Sequence, residues 1–102
     1  MEKFKINKFQ KQIETLCRKW KIVEFSLFGS VLTKDFKPSS DIDVLVTFSE
    51  GADWSLYDLA AIEDELKDLF GREVELVEKA SLRNPFRRQA ILSTKEVVYA
   101  AR

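Results

Sequence analysis

Hydrophobic residues recur at helical spacing in two long segments of the chain. The first segment runs from about residue 7 to residue 20 and predicts an amphipathic helix. The second occupies residues 56–70; Ser55 before it opens an S-x-x-D sequence typical of a capping box, and Gly71 after it suits a C-terminal cap. The predicted inward stripe of this second helix consists of Leu56, Leu59, Ala60, Leu66, Leu69 and Phe70.

A third, shorter helix is predicted towards the end of the chain. Asn84 is a favourable N-cap and Pro85 a favourable first helical residue. Phe86, Ala90 and Ile91 follow, and we expect them to face inward. Three arginines near this helix start are expected to be solvated surface residues: Arg83, Arg87 and Arg88.

Four further segments have the composition of β-strands. Residues 23–29 and 41–48 are rich in β-branched and aromatic residues, and residues 72–78 alternate between polar and apolar positions. Residues 96–101 fit a short edge strand or, alternatively, a helical tail. Helices that alternate with strands predict an α/β (α+β) fold, a small mixed β-sheet of three to five strands packed by helices, in one domain over residues 1–102.

Composition narrows the range of functions. Lysine plus arginine and aspartate plus glutamate number 17 each, so the chain lacks the basic surplus typical of nucleic-acid-binding proteins. There is no histidine, the commonest transition-metal ligand, and the single cysteine, Cys17, is expected in the core. Any metal must then be held by oxygen, which favours hard cations. No signal peptide or membrane-spanning segment is apparent, so we expect a cytoplasmic protein.

Two aspartates open the second predicted strand. Asp41 and Asp43 are separated by one residue, and residues i and i+2 of a strand point to the same face. Adjacent carboxylates repel each other, and one or two Mg²⁺ ions shared with phosphate oxygens would remove that repulsion. Glu75, in the middle of the third predicted strand, is the candidate third carboxylate, as a metal ligand or as the acceptor of a proton from an attacking hydroxyl.

A Gly-Ser pair lies at the end of the first predicted strand. Gly29 permits close approach of the backbone to a ligand, and Ser30 is expected to cap a short helix over residues 31–34 and so form an anion site. If the first two strands are antiparallel neighbours, this site and the aspartates meet at one rim of the sheet. The connection between the strands brings basic and hydroxyl groups there, among them Lys37 and Ser40.

The spacing of these residues resembles a known family. Gly-Ser, ten residues, then Asp-x-Asp, with an acid in a later V-x-L-V strand, resembles the DNA polymerase β-like nucleotidyltransferase superfamily, and the chain length is similar to that of its minimal nucleotidyltransferases (the MNT family). The resemblance covers nearly the whole chain. It implies Mg²⁺-dependent transfer of a nucleoside monophosphate from a nucleoside triphosphate to a hydroxyl group.

The resemblance also implies a partner and a set of site residues. Some MNT proteins are antitoxins that place AMP from ATP on a tyrosine of a HEPN-domain toxin, so we expect a HEPN partner that brings its own binding surface. The implied nucleotide-binding residues are Gly29, Ser30, Lys37 and Ser40. The implied metal-binding and catalytic residues are Asp41, Asp43 and Glu75.

Two differences from the family pattern leave a second function open. Many relatives have aspartate at the third acidic position, where this chain has Glu75, and a basic residue and a glycine after the Gly-Ser pair, where it has Val31-Leu32-Thr33-Lys34. The alternative is therefore an antitoxin or regulatory subunit with the same fold that inhibits its partner by binding alone. A third function, as part of a nucleic-acid nucleotidyltransferase, is disfavoured by the balanced charge.

Overall fold

A computed structural model describes residues 4–101 of the protein. The helices of this part are α1 (Gln10–Trp20), α2 (Leu56–Phe70) and α3 (Pro85–Thr94), and its strands are β1 (Ile22–Phe28), β2 (Ile42–Phe48), β3 (Val74–Glu78) and β4 (Glu96–Ala100). A short 3₁₀ turn, Ile6–Phe9, replaces the first residues of the predicted first helix. No helix among the described residues is both long enough and apolar enough to span a bilayer.

The four strands form one mixed sheet in the order β3-β2-β1-β4. β1 is antiparallel to both β2 and β4, whereas β2 and β3 are parallel. The helix α2 provides the long connection that two parallel neighbours require. The expected mixed sheet and the antiparallel pairing of the first two strands are confirmed, and β4 is an edge strand, so the alternative of a helical tail is wrong.

The main core lies between one face of the sheet and the helices α1 and α2. Alternate residues of β1 and β2 point into it, including Phe25, Leu27 and Val44, because successive side chains of a strand face opposite ways. From α1 it receives Ile13 and Cys17, both fully buried. The expectation that Cys17 is a core residue is confirmed, and burial raises the pKa of its thiol to about 12.

Both predicted ends of α2 are confirmed. Ser55 and Asp58 form a reciprocal capping box, and Gly71 adopts a left-handed conformation, φ +67°, at the C-terminal end. The predicted stripe is wrong at Leu56, which is 83% exposed, and at Ala60, which is also exposed. At about 100° per residue these two positions lie roughly 80° and 120° around the helix from the buried Leu66. The missing core position is Ile62, which is fully buried.

The other face of the sheet is covered by α3 and the turn that precedes it. A second cluster there contains Phe28, Leu45, Leu82 and Ile91. Asn84 caps α3 as expected, because its side-chain oxygen accepts hydrogen bonds from two backbone amides of the first turn.

The inward face predicted for α3 is only partly correct. Ile91 is buried, but Phe86 is 85% exposed and Ala90 is exposed as well. These two residues lie about 140° and 100° around the helix from Ile91, so one face cannot bury all three. The helix packs on the sheet through Ile91 and Leu92 near its end, and the charge of Arg87 in its first turn acts on Asp43.

Candidate active site

Gly29 and Asp43 lie side by side at one rim of the sheet. The antiparallel register pairs Phe28, the last residue of β1, with Asp43 near the start of β2. Gly29 follows with φ +79°, and a Cβ at this position would overlap Oδ2 of Asp43 and lie 3.3 Å from its Cγ. A side chain here would therefore meet both an unfavourable backbone conformation and a carboxylate in the same space.

Glu75 is the neighbour of Asp43 on the other side. The parallel register of β2 and β3 pairs these two residues directly, and paired residues on adjacent strands present their side chains to the same face about 4.8 Å apart. Asp43 is half-buried and Glu75 is exposed, since β3 is the edge strand. Two acids on one face at this spacing repel each other when both are ionised.

The electrostatics of the rim change the protonation of Asp43. Burial raises the pKa of the Asp43 carboxyl from its ordinary 3.8 to about 6, aided by a hydrogen bond that the protonated acid donates to Glu75. The negative charges of Glu75 and Asp41 act in the same direction, and the positive charge of Arg87 opposes them. Asp43 is thus held in an environment that disfavours its ionised form unless a cation is present.

Asp41 stands at the edge of this carboxylate pair. It is exposed and immediately precedes β2, and its charge acts on Asp43. Among residues 4–101, however, no three acidic, histidine or cysteine side chains are arranged so that they could hold a metal ion together. Asp43 and Glu75 are paired across β2 and β3, and Asp41 immediately precedes β2. The donor set, made of carboxylate oxygens alone, fits a hard cation such as Mg²⁺.

Ser30 does not act as a helix cap. The chain turns directly at the end of β1 into a 3₁₀ turn over Gly29–Leu32, with Phe28 in the capping position and no side-chain capping bond. The expected helix over residues 31–34 with Ser30 as its N-cap is therefore wrong. The positive φ of Gly29 lets the backbone turn at the strand end, so Ser30 lies inside the turn, where its carbonyl accepts a hydrogen bond from Thr33 N.

Lys37 and Ser40 belong to a second turn, directly before Asp41. The backbone amide of Ser40 donates to the carbonyl of Lys37 at 2.9 Å, and the hydroxyl of Ser40 accepts from the amide of Lys37 at 3.1 Å. The Lys37 side chain is exposed, whereas Ser40 is half-buried. The turn thus fixes the backbone just ahead of the aspartates, while its lysine stays free to approach an anion.

Two arginines near the site were not assigned to it from the sequence. Arg87, in the first turn of α3, is exposed as expected, but its charge also reaches Asp43. Arg72, just before β3, donates hydrogen bonds to the carbonyls of Lys37 and Ser40. No sequence signal identifies Arg72, because its partners are backbone carbonyls more than thirty residues away along the chain.

Comparisons with known proteins give the same family and fold. The sequence matches the nucleotidyltransferase domain family over residues 9–98. It is 37% identical over 76 residues to the protein adenylyltransferase MntA of Thermococcus cleftensis, which covers 74% of this chain and 72% of that protein.

Two solved structures share the fold at lower identity. A toxin–antitoxin complex with AMP-PNP contains a chain that matches with a TM-score of 0.73 at 20% identity, over 91% of this chain and 74% of that one. A complex of tri-AMPylated Shewanella oneidensis HEPN toxin with MNT antitoxin matches with a TM-score of 0.69 at 18% identity, over 95% of this chain and 74% of the other.

Proposed function

Because the chain belongs to the nucleotidyltransferase domain family, we propose that it is a protein adenylyltransferase that acts as a cytoplasmic antitoxin. It transfers AMP from ATP to a hydroxyl group of a HEPN-domain toxin. The acceptor group is a tyrosine hydroxyl. The observation that carries this proposal is the meeting of Gly29, Asp43 and Glu75 at one rim of the sheet. The 37% identity to an adenylyltransferase over most of the chain supports the same reaction class.

Mg²⁺ would be held by Asp43 and Glu75, with Asp41 as the third ligand. Asp41 lies two residues before Asp43, and its exposed side chain is free to change rotamer without disturbing the core. When bound, the ion neutralises negative charge on the phosphates of the substrate. The raised pKa of Asp43 is consistent with this role, because a site that binds a cation concentrates carboxylates that repel one another in its absence.

The nucleotide would lie across the rim with its triphosphate near the two turns. Gly29 lacks the Cβ that would overlap the Asp43 carboxylate, and the hydroxyls of Ser30 and Ser40 and the ammonium of Lys37 would face the phosphates. The oxygen of the acceptor hydroxyl attacks the α-phosphorus, the bond from that phosphorus to the bridging oxygen of the β-phosphate breaks, and pyrophosphate leaves. The hydroxyl proton passes to a carboxylate of the site, for which Glu75 is the best-placed exposed group.

The acceptor would arrive on a partner protein. The described residues form one sheet with a helical layer on each face, and the rim stays open to solvent at Asp41 and Glu75. An open rim suits a macromolecular acceptor that carries its own tyrosine into the site. The neighbour complexed with tri-AMPylated HEPN toxin provides the precedent for this partner and product.

The test is transfer of label from ATP to the partner. The protein is incubated with α-labelled ATP, Mg²⁺ and a HEPN-domain protein from the same genome, and labelled tyrosine is identified by mass spectrometry. We expect transfer by the wild type and none by Asp41→Asn/Asp43→Asn, whereas Asp64→Asn, an exposed acid on α2, retains it. Absence of transfer by the wild type, with intact ATP and folded partner, would refute the enzymatic proposal.

The second candidate is an antitoxin that inhibits by binding alone. It is favoured by the exposed Glu75 on an edge strand and by the absence, among residues 4–101, of a ready three-carboxylate metal group. The two candidates differ in one result, which is whether Asp41→Asn/Asp43→Asn still neutralises the toxin. Full neutralisation by this variant would favour binding alone, and loss of neutralisation would favour AMP transfer.

A further inference from the structure

Arg72 connects the turn before Asp41 to the strand that carries Glu75. Its guanidinium Nη2 donates a hydrogen bond to the carbonyl of Ser40 at 3.1 Å and a second one to the carbonyl of Lys37. The guanidinium carbon lies 4.1 Å from the centre of the buried Phe36 ring, a cation–π distance. One side chain thus contacts three residues of the connection between β1 and β2.

The position of Arg72 couples two parts of the candidate site. It comes three residues before Glu75, and the next residue, Glu73, accepts a backbone hydrogen bond from Ile42 at 2.9 Å. The two residues that precede β3 are therefore bonded to the turn at Lys37–Ser40 and to the first residue of β2. Asp41 lies between these two attachment points.

Among the described residues, the guanidinium of Arg72 is bonded to carbonyls of the Lys37–Ser40 turn and not to a carboxylate. None of the ion pairs among the described residues includes Arg72. Its Nε is buried without a hydrogen-bond partner in the same part of the chain, which is unfavourable for a charged group. The two carbonyl hydrogen bonds and the contact with Phe36 are what hold the guanidinium in this place.

We propose that Arg72 is a positioning residue that holds the Lys37–Asp41 segment in the geometry required for binding the triphosphate with its divalent cation. The biological meaning of this role rests on the proposed function. The role itself concerns nucleotide binding, which is measurable without a partner protein. Without the guanidinium, the turn keeps its internal Lys37–Ser40 bonds, and of the two attachments that flank Asp41 only the bond from Ile42 to Glu73 remains. A misplacement of about 1 Å can reduce a catalytic rate about 100-fold, and we expect nucleotide binding to depend on the geometry of the turn in the same way.

The experiment compares three variants. Arg72→Met keeps the length and the contact with Phe36 but removes every donor, Arg72→Lys keeps a cation and donors, and Arg18→Met removes an exposed arginine on α1 as the matched control. Binding of AMP-PNP with Mg²⁺ is measured by calorimetry. We expect affinity to fall about 10- to 100-fold in Arg72→Met, to be intermediate in Arg72→Lys and to stay unchanged in Arg18→Met.

Hydrogen exchange distinguishes positioning from general destabilisation. The amide of Ser40 bonds within the turn, and the amide of Ile42 bonds across the sheet to Glu73. In Arg72→Met we expect exchange at Ser40 to accelerate at least tenfold, with Ile42 unchanged. Equal acceleration at both amides would show a merely structural role and overturn the proposal.

These experiments distinguish failure of the positioning role from failure of the proposed function. Arg72→Met binding nucleotide as tightly as the wild type would overturn the positioning role, even if the wild type transfers AMP. A wild type that binds nucleotide but transfers no AMP would overturn the proposed reaction, and the Arg72 variants would still decide the positioning role. A wild type that binds no nucleotide with Mg²⁺ would overturn both.

Discussion

Replacing Asp43 by asparagine is expected to stabilise the metal-free protein at neutral pH while it removes activity. The carboxyl of Asp43 has its pKa raised from 3.8 to about 6, first by burial and then by the hydrogen bond and charge of Glu75. A folded-state pKa above the unfolded value means that ionisation opposes folding. Asparagine is nearly isosteric and carries no charge. Asp43→Asn therefore removes the unfavourable contribution of the ionised carboxylate to the free energy of folding.

The magnitude follows from the pKa and from the exposure of the site. A rise of about two pH units corresponds to about 3 kcal/mol in a fully shielded site, at about 1.4 kcal/mol per unit. Asp43 is only half-buried, so solvent screening reduces the expected gain to about 1–2 kcal/mol. For a domain of this size, that gain raises Tm by roughly 4–16 °C.

The direction of the pKa shift determines how the stability difference between wild type and Asp43→Asn changes with pH. The folded protein binds the Asp43 proton more tightly than the unfolded chain, so wild-type stability relative to the variant falls as pH rises from 3.8 through 6. The advantage of Asp43→Asn should therefore be full above about pH 7, about half as large at pH 5, and small below pH 4. Saturating Mg²⁺ and AMP-PNP should reverse the order, because only the wild type gains binding energy from them.

The assay is thermal and urea unfolding in EDTA at a series of pH values. Asp64→Asn, which removes an exposed acid from the middle of α2, is the matched control and should change stability by less than about 0.5 kcal/mol at every pH. If Asp43→Asn is less stable than the wild type at pH 7.5 without metal, the carboxylate is favourably accommodated in the empty rim and the electrostatic reasoning is wrong.

Two further predictions test the geometry of the rim and of α3. Gly29→Ala should abolish Mg²⁺-dependent nucleotide binding and should destabilise the fold more than Gly51→Ala. Both glycines have positive φ, but only at Gly29 would a Cβ meet Asp43. Equal losses of stability in urea unfolding would contradict this overlap. Ile91→Ala should cost about 2–5 kcal/mol, whereas Phe86→Ala should stay within about 0.5 kcal/mol; a large loss for Phe86→Ala would show that this exposed ring packs in the folded protein.

The helices show where sequence patterns are informative and where they are ambiguous. The ends of α2 were predictable because Ser55 and Gly71 act locally, through the backbone groups next to them. Its inner face was less predictable, because Leu56 and Ile62 are equally apolar and only the placement of the sheet decides which one is buried. The same ambiguity explains the outward position of Phe86.

The candidate site was predictable as far as it depends on neighbours in sequence. The position of Gly29 beside Asp43 follows from antiparallel pairing of two strands joined by one connection. The shared face expected for Asp41 and Asp43 stays a prediction, because Asp41 precedes β2. The pairing of Glu75 with Asp43 depends on the register of two parallel strands, which no local pattern specifies. Glu75 was a candidate because it is an acid in the middle of an apolar strand, and the family resemblance implied the same role. The parallel register of β2 and β3 places it beside Asp43.

Backbone-directed contacts were beyond the reach of sequence reasoning. Ser30 looked like a helix cap because serine is common there, yet the positive φ of Gly29 lets the chain turn one residue earlier. Arg72 looked like the polar start of an alternating strand, yet it binds carbonyl groups, which every residue has and which leave no sequence signature. Both cases depend on how distant segments meet.

Two unfavourable features lie near this rim. Asp43 is half-buried beside Glu75, and among residues 4–101 Arg72 has a buried Nε without a hydrogen-bond partner. Each costs free energy of folding, and a sheet edge built only for stability would replace them with apolar or solvated residues. Under the proposed function, a divalent cation bound with the triphosphate would offset the repulsion between the carboxylates, and the turn that Arg72 contacts would receive the phosphates. Under the proposed function, the carboxylates that weaken the free protein would bind the cation in its nucleotide complex, so stability and nucleotide affinity should respond in opposite directions when Asp43 is changed.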